Sequence, residues 1–234
     1  EFTLALIIAL QRHLVVSDRQ IKAGQYTQAR EQFFKSGSRE VAEASVGITG
    51  FGEIGRKVAE LTLSLGASVS YYDLERVPEG LENKLGVAFK PLEELLASCD
   101  VISLHVPLTD RTRGMIGSRE FRLMPRGALL INTSRGEVVD QNALAEAMER
   151  GHLGGAALDT VYPEPLPPDD PLLRISPSAR DRLLLAPHIA GMTRGAMHRM
   201  LTGAIQNILR AASGEPPEHI VNGILKLKNQ LTSD

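Results

Sequence analysis

The 234 residues include a single cysteine, no surplus of basic side chains, and no apolar run long enough to span a bilayer. Each shortage removes a class of function. Cys99 alone excludes an intrachain disulfide and offers no metal-ligand cluster, so no metal is expected and a reducing, cytoplasmic setting is. Its expected place is as a buried structural thiol. Lysine and arginine total 26 against 28 aspartates and glutamates, a net charge of −2 without the basic stripe that tracks a phosphate backbone. Nucleic acid is therefore not expected as a partner. The most apolar stretch, FTLALIIAL at 2–10, follows Glu1 without a basic flank and is too short for a transmembrane helix. No membrane partner is expected, and the stretch reads as a buried helix. No internal repeat or low-complexity tract occurs.

What the chain does have is VGITGFGEIG at 46–55, an apolar run that stops at glycines and resumes as the helix-forming RKVAELTLSLG. That order reads as strand, tight turn, helix. Gly50, Gly52 and Gly55 fit G-x-G-x-x-G, in which the first glycine permits the turn, the second lets backbone approach a pyrophosphate, and the third lets helix pack on strand. Phosphates then sit on the helix N-terminus, where unpaired N–H groups point. Glu53 and Ile54, between the last two glycines, are counted with them as cofactor-binding. Eighteen residues past Gly55 the next strand-like run, ASVSYY, ends in Asp73. Its carboxylate suits the hydroxyls of an adenosine ribose and repels a 2′-phosphate, which only Arg76 lies near in sequence to relieve. The expected cofactor is NAD rather than NADP.

A chain of this length accommodates one large domain plus an appendage. A helix is expected over 2–16, a short capped helix over 17–24, and a surface loop over 26–44. Beyond Asp73, strands at 87–89, 101–107, 127–133, 154–159 and 183–188 alternate with helices at 91–99, 118–124 and 141–150, the last capped by Asp140 and stopped by Gly151. Residues 161–182, rich in proline and aspartate, read as a long loop, and Thr193 to Ala212 as a long helix. Unbroken apolar strands are buried on both faces. The fold class is thus α/β, a Rossmann-like doubly wound parallel sheet with helices on both faces. Cys99 and the methionines Met124, Met192, Met197 and Met200 fall at helix spacings or termini and are expected as core contacts. His13, His152, His198 and His219 are expected as surface or packing residues.

Functional groups in such a sheet gather beyond the carboxyl ends of its strands. Arg135 follows LLINTS, Asp159 closes GGAALD, Glu164 lies five residues later, and His188 follows LLLAP. With GFGEIG, HVPLT at 105–109, INTSRGEVVD at 131–140, AALDTVYPEPLP at 156–167 and APHIAG at 186–191 in one order, the sequence resembles the D-isomer-specific 2-hydroxyacid dehydrogenases over roughly residues 1–222. The resemblance implies a catalytic set of Arg135, Glu164 and His188. Arg135 would hold the substrate carboxylate through its guanidinium fork. His188 would give a proton to the carbonyl oxygen during reduction, and Glu164 would orient that ring and stabilise its charged form. It further implies Asp159 at the nicotinamide carboxamide and Pro107 and Thr133 in the walls of the cofactor cleft, with His105 a weaker member.

The family carries a further N-terminal segment that forms most of its substrate domain, and the resemblance places this chain inside a larger protein of that kind. Residues 1–191 are then the dinucleotide-binding domain with an N-terminal inter-domain helix, and 192–234 the crossover helix and tail returning to the substrate domain. The helix at 2–10 is expected to need cover from upstream chain or a second subunit. The expected partners are a small 2-oxo or 2-hydroxy acid, of glycerate, hydroxypyruvate, glyoxylate, lactate or phosphoglycerate type, and a second copy in a homodimer. Two alternatives stand beside the dehydrogenase: an NAD(H)-binding interaction module like the family's transcriptional corepressor, and an inactive NAD-binding fragment. Formate oxidation is disfavoured, because a glutamine is expected at the position of Glu164.

Overall fold

A computed structural model describes residues 1–220 and divides the chain into two units, 1–188 and 189–234. The first unit opens with α1 (Phe2–Gln11), α2 (Leu14–Lys22), α3 (Tyr26–Ser36) and a 3₁₀ turn at Val41–Glu43. Then come β1 (Ser45–Thr49), α4 (Glu53–Ser64), β2 (Ser68–Tyr72), α5 (Glu79–Leu85), β3 (Val87–Phe89), α6 (Leu92–Ser98) and β4 (Val101–Leu104). α7 (Ser118–Leu123), β5 (Leu129–Asn132), α8 (Gln141–Glu149), β6 (Gly155–Leu158), α9 (Pro171–Arg174), α10 (Pro177–Arg180) and β7 (Leu183–Leu185) complete it.

The strands form one sheet in the order β3-β2-β1-β4-β5-β6-β7, every neighbouring pair parallel. Because side chains alternate across a strand, the apolar runs feed two cores. Ile102, Leu104, Leu130, Ala156 and Leu158 meet Leu95, Leu96, Phe121, Leu144 and Met148 from α6, α7 and α8 on one face. Val46, Ile48, Val69, Val101, Ile131 and Ala157 meet Leu6, Ile7 and Leu10 of α1 and Val58 and Ala59 of α4 on the other. Cys99 is buried in the first of these cores, and burial pushes its thiol pKa up.

Several expectations are corrected. The helix expected over 2–16 breaks at His13, whose φ of 52° lies in the left-handed region and leaves the helical ladder; its ring stacks on Phe33. The cover expected from elsewhere for α1 comes from this chain's own β5 and β6: Ile7 is fully buried, while Phe2, Leu4 and Ile8 are half-buried. The loop expected over 26–44 contains α3, a mostly exposed helix whose polar sequence hid it. α5 has no apolar periodicity of its own that would mark it in the sequence; it half-buries Leu81 and Leu85 beside β3. The loop expected over 161–182 holds α9 and α10, each with proline at its first turn and a side-chain cap, from Asp170 and Ser176.

The second unit carries α11 (Arg194–Ala212), capped by Thr193 Oγ1, which accepts from the Ala196 N–H at 3.0 Å. Met124 is buried, as expected, at the end of α7, but Met192, Met197 and Met200 are exposed, because α11 and the turn before it bury no side chain. Among the described residues no helix is long and apolar enough to cross a membrane. Residues 221–234 of the expected C-terminal tail lie outside the described residues.

Candidate cofactor and active site

All strands run the same way, so every strand delivers its following loop to one edge of the sheet. At that edge the order reverses between β1 and β4, where open α/β sheets bind ligands. The three glycines there meet three different demands. Gly50 has a φ of +91°, and a Cβ on it would lie 2.7 Å from the His105 carbonyl. A Cβ on Gly55 would lie 2.1 Å from the Gly50 oxygen, so only glycine lets α4 approach β1 this closely. A Cβ on Gly52 would meet nothing within 4 Å, so the space in front of it is open. Gly52 is also the N-cap of α4 and brings no side-chain cap, which leaves the amides of the first turn to a ligand. Glu53 and Ile54 stand exposed on that turn.

Asp73 follows β2. Its Oδ2 accepts from the Phe51 N–H and its Oδ1 from the Leu74 N–H, each at 2.6 Å, tying the β2 end to the glycine turn. A carboxylate has about four acceptor sites, so each oxygen keeps one for a hydroxyl. Asp73, Tyr72 and Phe89 line a cavity of about 570 Å³ with Glu93, Glu94, Arg119 and Glu120. The loop beyond Asp73 is fixed from behind. The Arg76 fork grips Glu82 at 2.8 and 2.6 Å, and the Tyr71 hydroxyl donates to Glu82 at 2.6 Å while accepting from the Val77 N–H. Arg76 and then Tyr71 pull the Glu82 pKa from 4.5 to about 2. A carboxylate with a depressed folded pKa adds stability above its unfolded value, and that stability is lost as pH falls through the folded one. The melting temperature is therefore expected to drop as pH falls from 4.5 to about 2, and the Glu82→Gln variant to show a flatter descent over that interval.

At the β4 end, His105 Nε2 lies 2.8 Å from Ser103 Oγ, and burial lowers the ring's pKa to about 4, which keeps it neutral at ordinary pH. Pro107 is exposed just beyond, its carbonyl accepting from Thr112 Oγ1 at 2.7 Å. Thr133 follows β5, its hydroxyl 3.1 Å from that of Thr3 on α1. Asp159 is buried at the end of β6; its N–H donates to the Asn132 carbonyl and its carbonyl accepts the His188 N–H at 2.8 Å.

His188 itself has a φ of 56°, and its Nδ1 lies 3.1 Å from Glu164 Oε2. The hydrogen bond to His188 holds the Glu164 pKa below the ordinary carboxylate value, and the nearby Arg135 charge adds to this. Both residues line a cavity of about 450 Å³ walled by Val161, Pro165, Leu166 and Leu185. Arg135 is exposed on the neighbouring loop and does not line that cavity; its Nη1 donates to the Ser134 carbonyl at 2.7 Å.

Three supporting residues escaped the sequence reading. Buried Asn132 accepts from the Ser134 N–H and hydroxyl and donates to the Arg135 carbonyl, which shapes the turn that presents Arg135. Gln141 pairs through its amide with both backbone groups of Tyr162, anchoring the segment that carries Glu164. A Cβ on Gly136 would lie 2.2 Å from the Val161 carbonyl carbon, so the Arg135 and Glu164 loops touch backbone to backbone there. The lone asparagine in the apolar run LLIN and the glycine directly after Arg135 were the legible signals; Gln141 left none.

A parallel sheet with a glycine turn at its switch point, an acid after β2, and a histidine beyond β7 paired with a glutamate from the segment after β6 define a Rossmann-type dinucleotide-binding unit. Comparison with known proteins narrows that class. Residues 4–190 match the model of the D-isomer specific 2-hydroxyacid dehydrogenase NAD binding domain, and the chain belongs to that family. It is 41% identical over 222 residues to the glyoxylate reductase of Korarchaeum cryptofilum, covering 95% of this chain and 65% of that protein. The crystal structure of Aquifex aeolicus D-lactate dehydrogenase complexed with NAD and lactic acid is similar with a TM-score of 0.80 and 32% identity, over 92% of this chain and 66% of that one. Apo D-mandelate dehydrogenase from Rhodotorula graminis matches with a TM-score of 0.85 and 28% identity, over 93% and 63%. The chain thus spans about two thirds of the length of these relatives.

Proposed function

We propose that this chain is the cofactor-binding part of an NAD-dependent oxidoreductase that interconverts a small D-2-hydroxy acid and its 2-oxo acid. The observation that carries the reading is the Glu164–His188 pair in the wall of a cavity at the carboxyl edge of the sheet. The glycine turn fits a dinucleotide: Gly52 leaves open the space that a pyrophosphate needs, and Asp73 retains acceptor capacity for ribose hydroxyls. Bound there, the nicotinamide supplies the hydride. Asp159, Pro107, Thr133 and His105 stand at the strand ends that border it, and Glu53 and Ile54 at the phosphate end.

Arg135 takes the substrate carboxylate by turning its fork away from the Ser134 carbonyl. With Nδ1 held by Glu164, His188 donates its proton from Nε2 to the carbonyl oxygen and recovers one from a hydroxyl in the reverse direction. The same contact lowers the Glu164 pKa from its ordinary value, and the carboxylate keeps the ring oriented. A homodimer in a cytoplasmic setting belongs to the same proposal. Leu14, Val15, Ile21, Tyr26 and Phe34 are exposed along α2 and α3, and the single buried thiol agrees with a reducing compartment.

The test is a steady-state assay with NADH and a panel of 2-oxo acids including glyoxylate, hydroxypyruvate and pyruvate. Turnover of at least one acid supports the enzyme; tight NAD binding without turnover of any fits a binding module or an inactive NAD-binding fragment. The Glu164→Gln variant replaces the carboxylate that His188 Nδ1 contacts with a neutral amide, so kcat for reduction is expected to fall while the Kd for NAD is kept. An unchanged kcat removes Glu164 from the mechanism.

A further inference from the structure

We propose that Glu82 sets nucleotide preference without touching the nucleotide, by withholding Arg76 from the adenosine end of the cofactor site, so that Glu82 and Asp73 together discriminate against a 2′-phosphate. The inference rests on the cofactor reading above. Arg76 lies three residues past Asp73, and its guanidinium stands 5.8 Å over the ring of Phe89, a wall of the cavity that Asp73 lines. The cation is therefore one aromatic ring away from the space a 2′-phosphate would enter. Its Nε and Nη2 are both committed to the two oxygens of Glu82. Glu82 is only 5% exposed and is itself pinned by the Tyr71 hydroxyl, so Arg76 cannot turn away without leaving a buried carboxylate short of its counter-charge. The cation that lines that cavity, Arg119, is paired with Glu93 and Glu120. The cavity accordingly offers acidic groups and no uncommitted guanidinium fork among its described residues, which opposes a phosphate doubly.

Glutamine at 82 keeps a hydrogen-bond partner for Tyr71 and removes the charge that holds Arg76. Calorimetric titration of the full chain with NAD and with NADP compares the unmutated protein, Glu82→Gln, Arg76→Ala and the double variant. Glu82→Gln is expected to improve NADP affinity relative to NAD by about tenfold, the scale of one new charge-assisted contact to phosphate. Arg76→Ala alone is expected to leave the NAD/NADP ratio unchanged, and the double variant to lose the gain. An unmoved ratio in Glu82→Gln, or a gain that survives loss of Arg76, overturns the proposal. If Glu82→Gln fails to fold, Arg76→Ala decides: weakened NADP binding there means that Arg76 already reaches the phosphate, which is contrary to the proposal. Failure of the unmutated chain to bind NAD would instead sink the cofactor reading, whereas NAD binding with an unmoved ratio sinks only the withholding of Arg76.

Discussion

Replacing His188 by asparagine is expected to lower 2-oxo acid reduction by about 10²–10⁴, the usual contribution of a positioned general acid, while NAD binding persists. The separation follows from where the residue sits. His188 is beyond β7 in the wall of the cavity shared with Glu164, whereas the glycine turn and Asp73 lie after β1 and β2, on the other side of the switch point. Asparagine suits the left-handed backbone at this position better than most residues, so the His188 N–H bond to the Asp159 carbonyl survives. The readouts are kcat for the best acid of the panel and the Kd for NAD. Turnover within a factor of a few of the unmutated protein would assign proton transfer to another group.

Two neighbouring glycines are expected to respond in opposite ways. Gly55→Ala puts a methyl 2.1 Å from the Gly50 carbonyl, a backbone atom that cannot swing aside, so α4 must back away from β1. The expected cost is about 3 kcal/mol, which is about 6–12 °C in melting temperature for a protein of this size, with NAD binding lost as the turn deforms. Gly52→Ala adds the same methyl where nothing lies within 4 Å and where φ is −76°, a value alanine accepts. Its stability should stay within about 0.5 kcal/mol of the unmutated protein. Its NAD affinity should still fall by about tenfold or more, because the methyl occupies the approach to the pyrophosphate. Thermal melts and NAD titrations of both variants give the comparison; a Gly52→Ala protein that binds NAD normally would move the phosphates elsewhere.

The sequence by itself determined the α/β class, the parallel sheet and the location of most strands, because a strand buried on both faces must be apolar throughout and those runs stand out between polar helices. It also pointed to the glycine turn and Asp73 immediately after strands, to His188 shortly after one and to Glu164 five residues past Asp159, because the strand ends of such a sheet share one edge. Elements whose stability comes from their neighbours were not legible. α3 and α5 carry no strong apolar stripe, and α9 and α10 are single turns held by Asp170 and Ser176 caps inside a proline-rich stretch. Only the tertiary structure showed that α1 is covered by β5 and β6, because a short helix apolar on most faces says that it needs a partner and not which one. The same holds for Arg76. Its position three residues after Asp73 marked it as the cation nearest a 2′-phosphate, but whether it is free depends on Glu82, which α5 brings against Tyr71 at the back of the sheet edge. Pairings of that kind are fixed by packing between elements, and no local pattern in the chain encodes them.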